Sequence, residues 1–504
     1  MESASVGIED PTGAKAAIAA SSGDKGLRGG AIGFASSVVI GVASTAPGYS
    51  LAASLGFVVA AGVGLASPAI FWVAFLPMLC ISFAYYYMNR ADPDCGTTFT
   101  WVTSAMGPWA GWIAGWAIIV ADVIVMANLA QIAGLYSFLL IGVHVHAAGV
   151  AVATVGVVWI AIMTAICYIG IELSARTQIF LLGAEIATLA LFAVVALVRV
   201  YAGDFGDSID PSLAWLNPFS IDSTTALIDG VLVAVFIYWG WDSAVTVNEE
   251  TADPTEGPGR SAVVSTLILL GIYLVVSIAA QAVHGDAFLK ENASDVLSAL
   301  GKDVFGSPLD KLLIIAVLTS AAASTQTTIL PTARTSLSMG AVKALPRIFA
   351  RVHPRYQTPD FSTLLMGALS IAWYVGLTLL SKHILTDSIA ALGLMIAFYY
   401  GLTGFACTIY YRREILANAK AFFVAGVMPL LGGSVLGFIF VKSIIDFTHP
   451  AKREVLGMKP PLVIAIFFAI LGVALMLIQW RADSEFFKRK PQLAAKGSLA
   501  KATS

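Results

Sequence analysis

Apolar stretches of about 20 residues follow one another through most of this chain, the length a helix needs to cross a hydrocarbon core of about 30 Å. Twelve such stretches fit the sequence: 31–60, 66–88, 108–141, 149–171, 176–200, 226–248, 261–283, 311–340, 361–381, 386–411, 421–444 and 460–480. Composition agrees with that reading. Of 504 residues, 58% are hydrophobic and 12% charged, against roughly 25% charged in an ordinary soluble domain. Such a chain cannot cover its own core in water, so the expected fold class is an all-α integral membrane protein. A soluble enzyme, a nucleic-acid binder and a disulfide-stapled secreted module are excluded. Net charge is −2, so no global field points to a polyanionic partner. Cys80, Cys95, Cys167 and Cys407 are scattered without a CxxC pair, which suggests neither a metal cluster nor a disulfide framework. His144 and His146 read as part of a solvated loop, not as a metal site.

Residues 1–29 and 482–504 lack apolar runs and read as disordered tails, the second one basic. An even span count puts both tails on one side. Placing that side in the cytoplasm gives it 20 of the 29 Lys and Arg residues, as the positive-inside rule requires. The expected location is the cell membrane, with both termini cytoplasmic.

Two spans are interrupted. The first contains Gly41-Val42-Ala43-Ser44-Thr45-Ala46-Pro47-Gly48-Tyr49. Pro47 lacks an N–H and the glycines are poor helix formers, so this run predicts an unwound segment in preference to a simple kink. The sixth contains Tyr238-Trp239-Gly240-Trp241-Asp242-Ser243, where a glycine and an acid interrupt an aromatic-rich helix. Gly41 and Gly240 are 199 positions apart. Freed backbone groups at membrane depth must line a cavity or lie inside protein. Five spans precede the second break's helix, an odd number, so the second half runs inverted relative to the first. One broken helix per inverted half is the plan of many secondary transporters. The expected organisation is a tail at 1–29, five spans in 30–201, a loop at 202–225, five spans in 226–411, two further helices in 412–481 and a tail at 482–504.

These features resemble the amino acid–polyamine–organocation (APC) superfamily of permeases. The resemblance is carried by the small-residue break Gly41–Gly48, by Gly240-Trp241-Asp242 with Asn248-Glu249-Glu250-Thr251, and by Gly107-Pro108 with Gly111-Trp112 and Gly115-Trp116. Ala333-Arg334, Leu345-Pro346-Arg347-Ile348-Phe349, Val352-His353-Pro354-Arg355 and Thr358-Pro359 extend it. It covers about residues 28–415 and rests on the order and spacing of the motifs. Ser44-Thr45-Ala46-Pro47 departs from the commoner glycine-rich pattern of the family, which leaves the subfamily open. The resemblance implies a five-plus-five inverted-repeat core with helices 1 and 6 broken, plus two C-terminal helices.

Half-helix ends at a break expose N–H groups on one side and carbonyls on the other. Ala43, Ser44, Thr45, Ala46 and Gly48 are the expected cradle for the main chain of an α-amino acid, the N–H groups near Pro47 suiting its carboxylate. Tyr238, Trp239 and Gly240 would face them with carbonyls, and Phe236 and Tyr238 would cap the substrate as an aromatic lid. Ionisable groups inside spans are costly and therefore informative. Asp242 is a candidate gate or proton carrier, with a structural anchor as the alternative. Glu185, nine residues after Arg176, stands by resemblance where some members carry a lysine that replaces a sodium ion; a carboxylate there suits proton loading. Asp122 lies in span 3, which lines the site by resemblance; an inter-helix hydrogen bond is its plainer role. No Lys or Arg is expected deep in a span, so the three acids favour a cationic substrate or protons. Span 8 carries six hydroxyls between Thr319 and Thr328; Thr328 is a candidate substrate contact, and the set would also serve a sodium site or close helix packing. Glu249, Glu250, Asp253 and Glu256 are candidates to pair with Arg334 or Arg347 as an inner gate.

The expected function is secondary active transport of amino acids by alternating access, with H+ as the coupling ion and Na+ as the alternative. A polyamine or organic amine permease or exchanger is the second reading, and a membrane sensor on a transporter scaffold the third. No enzymatic motif, cofactor or metal is expected. The expected partners are a small-molecule substrate (an amino acid or amine) and the lipid bilayer, with no nucleic acid; a homodimer stays open.

Overall fold

The computed structural model describes residues 24–143, 145–147, 149–293, 295–380, 384–449, 454–494 and 499. The described residues contain helices and turns and no β-strand. A helix satisfies its own backbone groups, which a lipid solvent demands of any spanning segment.

The first half comprises α1 (Phe34–Thr45), α2 (Pro47–Val58), α3 (Ser67–Ala91), α4 (Thr98–Met106), α5 (Pro108–Leu140), α6 (Val150–Ile169) and α7 (Ile171–Ala202). The second comprises α8 (Thr224–Ile237), α9 (Ser243–Thr246), α10 (Gly257–Glu291), α11 (Val296–Phe305), α12 (Lys311–Ala341), α13 (Asp360–Leu380) and α14 (Ile384–Tyr410). Two more follow, α15 (Ala419–Thr448) and α16 (Pro460–Ala482). Among the described residues, ten helical stretches are long and apolar enough to span a membrane. One of them, Phe34–Ala91, holds two passes separated by an irregular link at 59–66, and α8 with its continuation supplies the remaining pass. The twelve expected spans are thereby recovered.

Helices α5 and α12 form the centre and run antiparallel. Trp112 Nε1 donates to the Ala344 carbonyl at 2.8 Å, and Thr332 Oγ1 donates to Asp122 Oδ2 at 2.6 Å. Both breaks pack against α12 and against each other.

The tails are shorter than the sequence reading sets them. Lys25 is buried in ion pairs. At the other end Phe486 and Phe487 pack with Phe99, Trp112 and Met339, because two adjacent aromatics after α16 find an apolar hollow beside α4. Gln492 N–H donates to the Ser104 carbonyl and Leu499 N–H to Glu414. Residues 1–23, 495–498 and 500–504 of the expected tails lie outside the described residues, as does His144. The segment after α12 holds one 3-10 turn, Arg347–Ala350. The small helices α4 and α11 have no counterpart in the sequence reading, since neither is long enough to show as a span.

Candidate functional site

The chain unwinds at both places its sequence marks. At the first, Ala46 alone takes the left-handed conformation, with φ 49° and ψ 64°, and Pro47 opens the next half-helix. At the second, helix α8 ends at Ile237, Gly240 has φ 116°, and a single helical turn resumes at Ser243. Ser44 Oγ and Ser243 Oγ hydrogen-bond at 2.8 Å, so the two breaks touch. A β-carbon on Gly240 would lie 2.8 Å from the Ser44 carbonyl oxygen. Close approach and positive φ both require glycine there.

The expected carboxylate seat is already filled by the chain's own groups. Gly48 N–H donates to Glu185 Oε1 at 2.7 Å and Tyr49 N–H to Ser320 Oγ at 3.1 Å. Ala46 N–H returns to the Ala43 carbonyl and Ser50 N–H to the Ala46 carbonyl. Pro47 has no N–H, so the first turn of α2 leaves no free donor. The carbonyls are similarly engaged: Ser324 Oγ donates to Ser44 O at 2.8 Å, Ser50 Oγ to Thr45 O and Thr45 Oγ1 to Gly41 O. Ala43, Ser44, Thr45, Ala46 and Gly48 are all buried. The reading of exposed half-helix ends is corrected accordingly: a buried carboxylate supplies the anion that a helix N-terminus attracts. Glu185 is fully buried, and its second oxygen, Oε2, has no partner.

Asp242 is an anchor in this arrangement. Tyr400 OH donates to its Oδ1 at 2.9 Å; Tyr399 OH at 3.1 Å and Tyr85 OH at 3.5 Å donate to Oδ2. Trp239 Nε1 donates to Tyr399 OH. The phenols of α14 and α3 thus hold the second break from two sides. Asp122 is likewise bonded to Thr332, the plainer of its two expected roles. Tyr238 packs its ring on Phe75 and Tyr273, centroids 6.0 and 5.0 Å apart, and not over the break. Phe236 lines a separate cavity beside α15. The aromatic lid is therefore not assembled here.

Asn128, Gln131, Tyr49 and Thr328 also carry buried polar atoms without partners, and of these only Thr328 was a candidate from the sequence. Both amide atoms of Asn128 are such atoms, as are Gln131 Oε1, Tyr49 OH and Thr328 Oγ1. Continuing the α5–α12 register from the Trp112–Ala344 and Asp122–Thr332 contacts brings Asn128 level with Gln326 and Thr328. Native buried polar groups are nearly always satisfied, so orphans gathered near the breaks mark where a polar ligand has partners to gain. A lone asparagine in an apolar span was the available signal for Asn128. The tyrosines around Asp242 had none, because only tertiary contact pairs them with an acid 157 and 158 positions away.

On the face bearing the chain ends, charged groups close the gap. Arg334 and Glu250, both buried, pair through Nε and Oε2. Arg334 is thus the gate partner expected from the sequence, and it is also a buried cation within a span, where none was expected, neutralised by Glu250. Lys25 bonds Asp94 at 2.7 Å and also contacts Glu249. Burial opposes the lysine's charge, but Cys95, Asp94 and Glu249 beside it outweigh that and hold the ammonium above the usual lysine range. Arg90 pairs with Glu256 at 2.8 Å. Arg347 has no ion pair among the described residues, and Asp253 instead accepts from Thr255 Oγ1. Backbone bonds from Ile32 N–H to Glu250 O and from Ala252 N–H to Ile32 O stitch the approach to α1 onto the exit from α9.

A model of the amino acid permease family matches residues 30–484. This chain belongs to that family. Among curated relatives, an uncharacterized transporter of Mycobacterium tuberculosis is 28% identical over 347 residues, 68% of this chain and 72% of its own. A branched-chain amino acid permease of Bacillus subtilis is 23% identical over 445 residues, covering 84% and 90% of the two chains. A methylthioribose transporter of the same organism is 23% identical over 403 residues, covering 76% and 82%. The family model and the names of these relatives are those of transporters, so the chain is a permease.

Proposed function

We propose that the permease is a proton-coupled secondary transporter of the cell membrane, both termini cytoplasmic, moving a small amino-bearing solute by alternating access. The carrying observation is Glu185: one oxygen caps the half-helix at Gly48 while the other is buried without a partner. A carboxylate so placed gains a proton without leaving its backbone contact, and its charge state acts directly on the break beside the substrate. Lys25–Glu249 and Arg334–Glu250 serve as the inner gate, shut in this arrangement. Substrate contacts would come from Ser44, Thr328 and Asn128 around the two breaks.

The test is uptake of amino acids into proteoliposomes under an imposed pH gradient. Glu185→Gln is expected to abolish gradient-driven accumulation while retaining substrate counterflow. Wild-type accumulation by Glu185→Gln, or accumulation driven by sodium alone, refutes the proton role. A second reading is an amine lacking a carboxylate. It is favoured by the capped N–H groups, which leave a substrate carboxylate no backbone seat beside Glu185. Counterflow by amines and not by amino acids would select it.

A further inference from the structure

A cavity of about 430 Å³ opens between the ends of α2 and α8 remote from the inner gate, the start of α14 and the end of α15. Its walls are apolar, with Phe57, Phe236, Ile439 and Phe447 among them. Two features break that character. Asp229, on the otherwise apolar helix α8, lines it and has no hydrogen bond or ion pair among the described residues. Ser54, 1% exposed, also lines it and its hydroxyl has no partner. The other acid at the rim, Asp446, is spent on Lys442, one turn before it. Asp229 is half-buried near the start of α8, and an unpaired carboxylate on an otherwise apolar cavity wall gains from a cation that meets it there. The volume lies within the roughly 300–1,000 Å³ of small-molecule sites.

We propose that this cavity is a second binding site, distinct from the breaks, for an amphiphilic organic cation. The ammonium group pairs with Asp229 and hydrogen-bonds toward Ser54, and the apolar body lies against Phe57, Phe236 and Ile439. The chemistry selects against other occupants. An α-amino acid or a phospholipid headgroup would bring an anion to a site with two acids and one lysine already paired. A bare hydrocarbon tail leaves Asp229 unmet. Three walls come from the ten-helix core and one from α15, outside it. A ligand wedged between them holds the core against α15, so it lowers the maximal transport rate without competing with substrate.

The site is tested by calorimetric titration of the full-length protein in nanodiscs with 2-phenylethylamine. Its neutral and anionic counterparts, 2-phenylethanol and phenylacetate, serve as controls. The amine is expected to bind at least ten-fold more tightly than either. Asp229→Asn is expected to weaken it ten-fold or more. A β-carbon on Gly393, which lines the cavity, meets nothing within 4 Å, so Gly393→Leu plugs the space without a clash and is expected to abolish binding at unchanged thermal stability. Ser44→Trp, which blocks the breaks, is expected to leave amine binding intact, so failure here is separable from failure of the transport reading. The proposal is overturned by absent amine binding at millimolar concentration or by equal binding of the alcohol. Unchanged affinity in both Asp229→Asn and Gly393→Leu, or loss of binding in Ser44→Trp, also overturns it.

Discussion

Replacing Glu250 with glutamine strips the buried Arg334 guanidinium of its counter-charge. Removing one partner of a buried ion pair costs about 3–5 kcal/mol, because the remaining charge is left uncompensated. Here the pair meets through one nitrogen and one oxygen, and Glu250 Oε1 has no partner. Glutamine also keeps an acceptor oxygen. The expected loss therefore sits at the low end, about 3 kcal/mol, which is roughly a 150-fold shift in an equilibrium constant. That loss falls on the arrangement in which the segment after α9 lies against α12. Cys95 reports on it, since its buried thiol lies 3.5 Å from the Arg334 carbonyl. In a background with Cys80, Cys167 and Cys407 changed to alanine, Glu250→Gln should raise the alkylation rate of Cys95 by about two orders of magnitude. The unfolding free energy in mixed micelles should fall in parallel. The double variant Glu250→Gln/Arg334→Met should recover most of the loss, because a neutral apolar pair carries no stranded charge. A single variant within about 1 kcal/mol of the parent, with Cys95 still protected, would refute the claim that this pair holds the face shut.

Gly240→Ala should cost at least about 1–3 kcal/mol, since alanine must hold φ 116° with its β-carbon 2.8 Å from Ser44 O; an unfolding titration checks it, and an unchanged midpoint counts against the close contact of the breaks. Asn128→Leu should raise KM by about ten-fold or more if its amide binds substrate, while stabilising the empty protein, because two orphaned polar atoms leave the core; a lower stability with unchanged KM would make it structural. Burial, with Asp94 nearby, pushes Asp92 up from 3.8 to about 7. Between about pH 4 and pH 7 the folded chain therefore keeps a proton that the unfolded chain has released. This group's contribution to stability thus falls as pH rises through that window. Asp92→Asn should flatten that dependence and stabilise the protein at pH 8, as thermal melts across pH will show.

Much of this architecture is legible in the sequence because a bilayer leaves the chain few choices. Every N–H and C=O in hydrocarbon needs an internal partner, so length and apolarity alone locate the spans. Proline and glycine break helices by local covalent geometry, so Pro47 and Gly240 mark both breaks without any knowledge of neighbours. What occupies the breaks is different in kind. That Glu185 caps Gly48, that three phenols hold Asp242, and that Thr332 takes Asp122 depends on which helices lie side by side. An acid in an apolar run announces a cost; only packing decides who meets it, and the same residue type serves as cap, anchor or unpaired charge. Asp229 shows this most plainly: its neighbours in sequence are apolar on both sides, and the cavity that makes it informative is built by helices as distant in the chain as α2 and α15. Local chemistry determined where the chain spans and where it breaks, and tertiary contact alone decided which buried polar groups are satisfied and which still lack a partner.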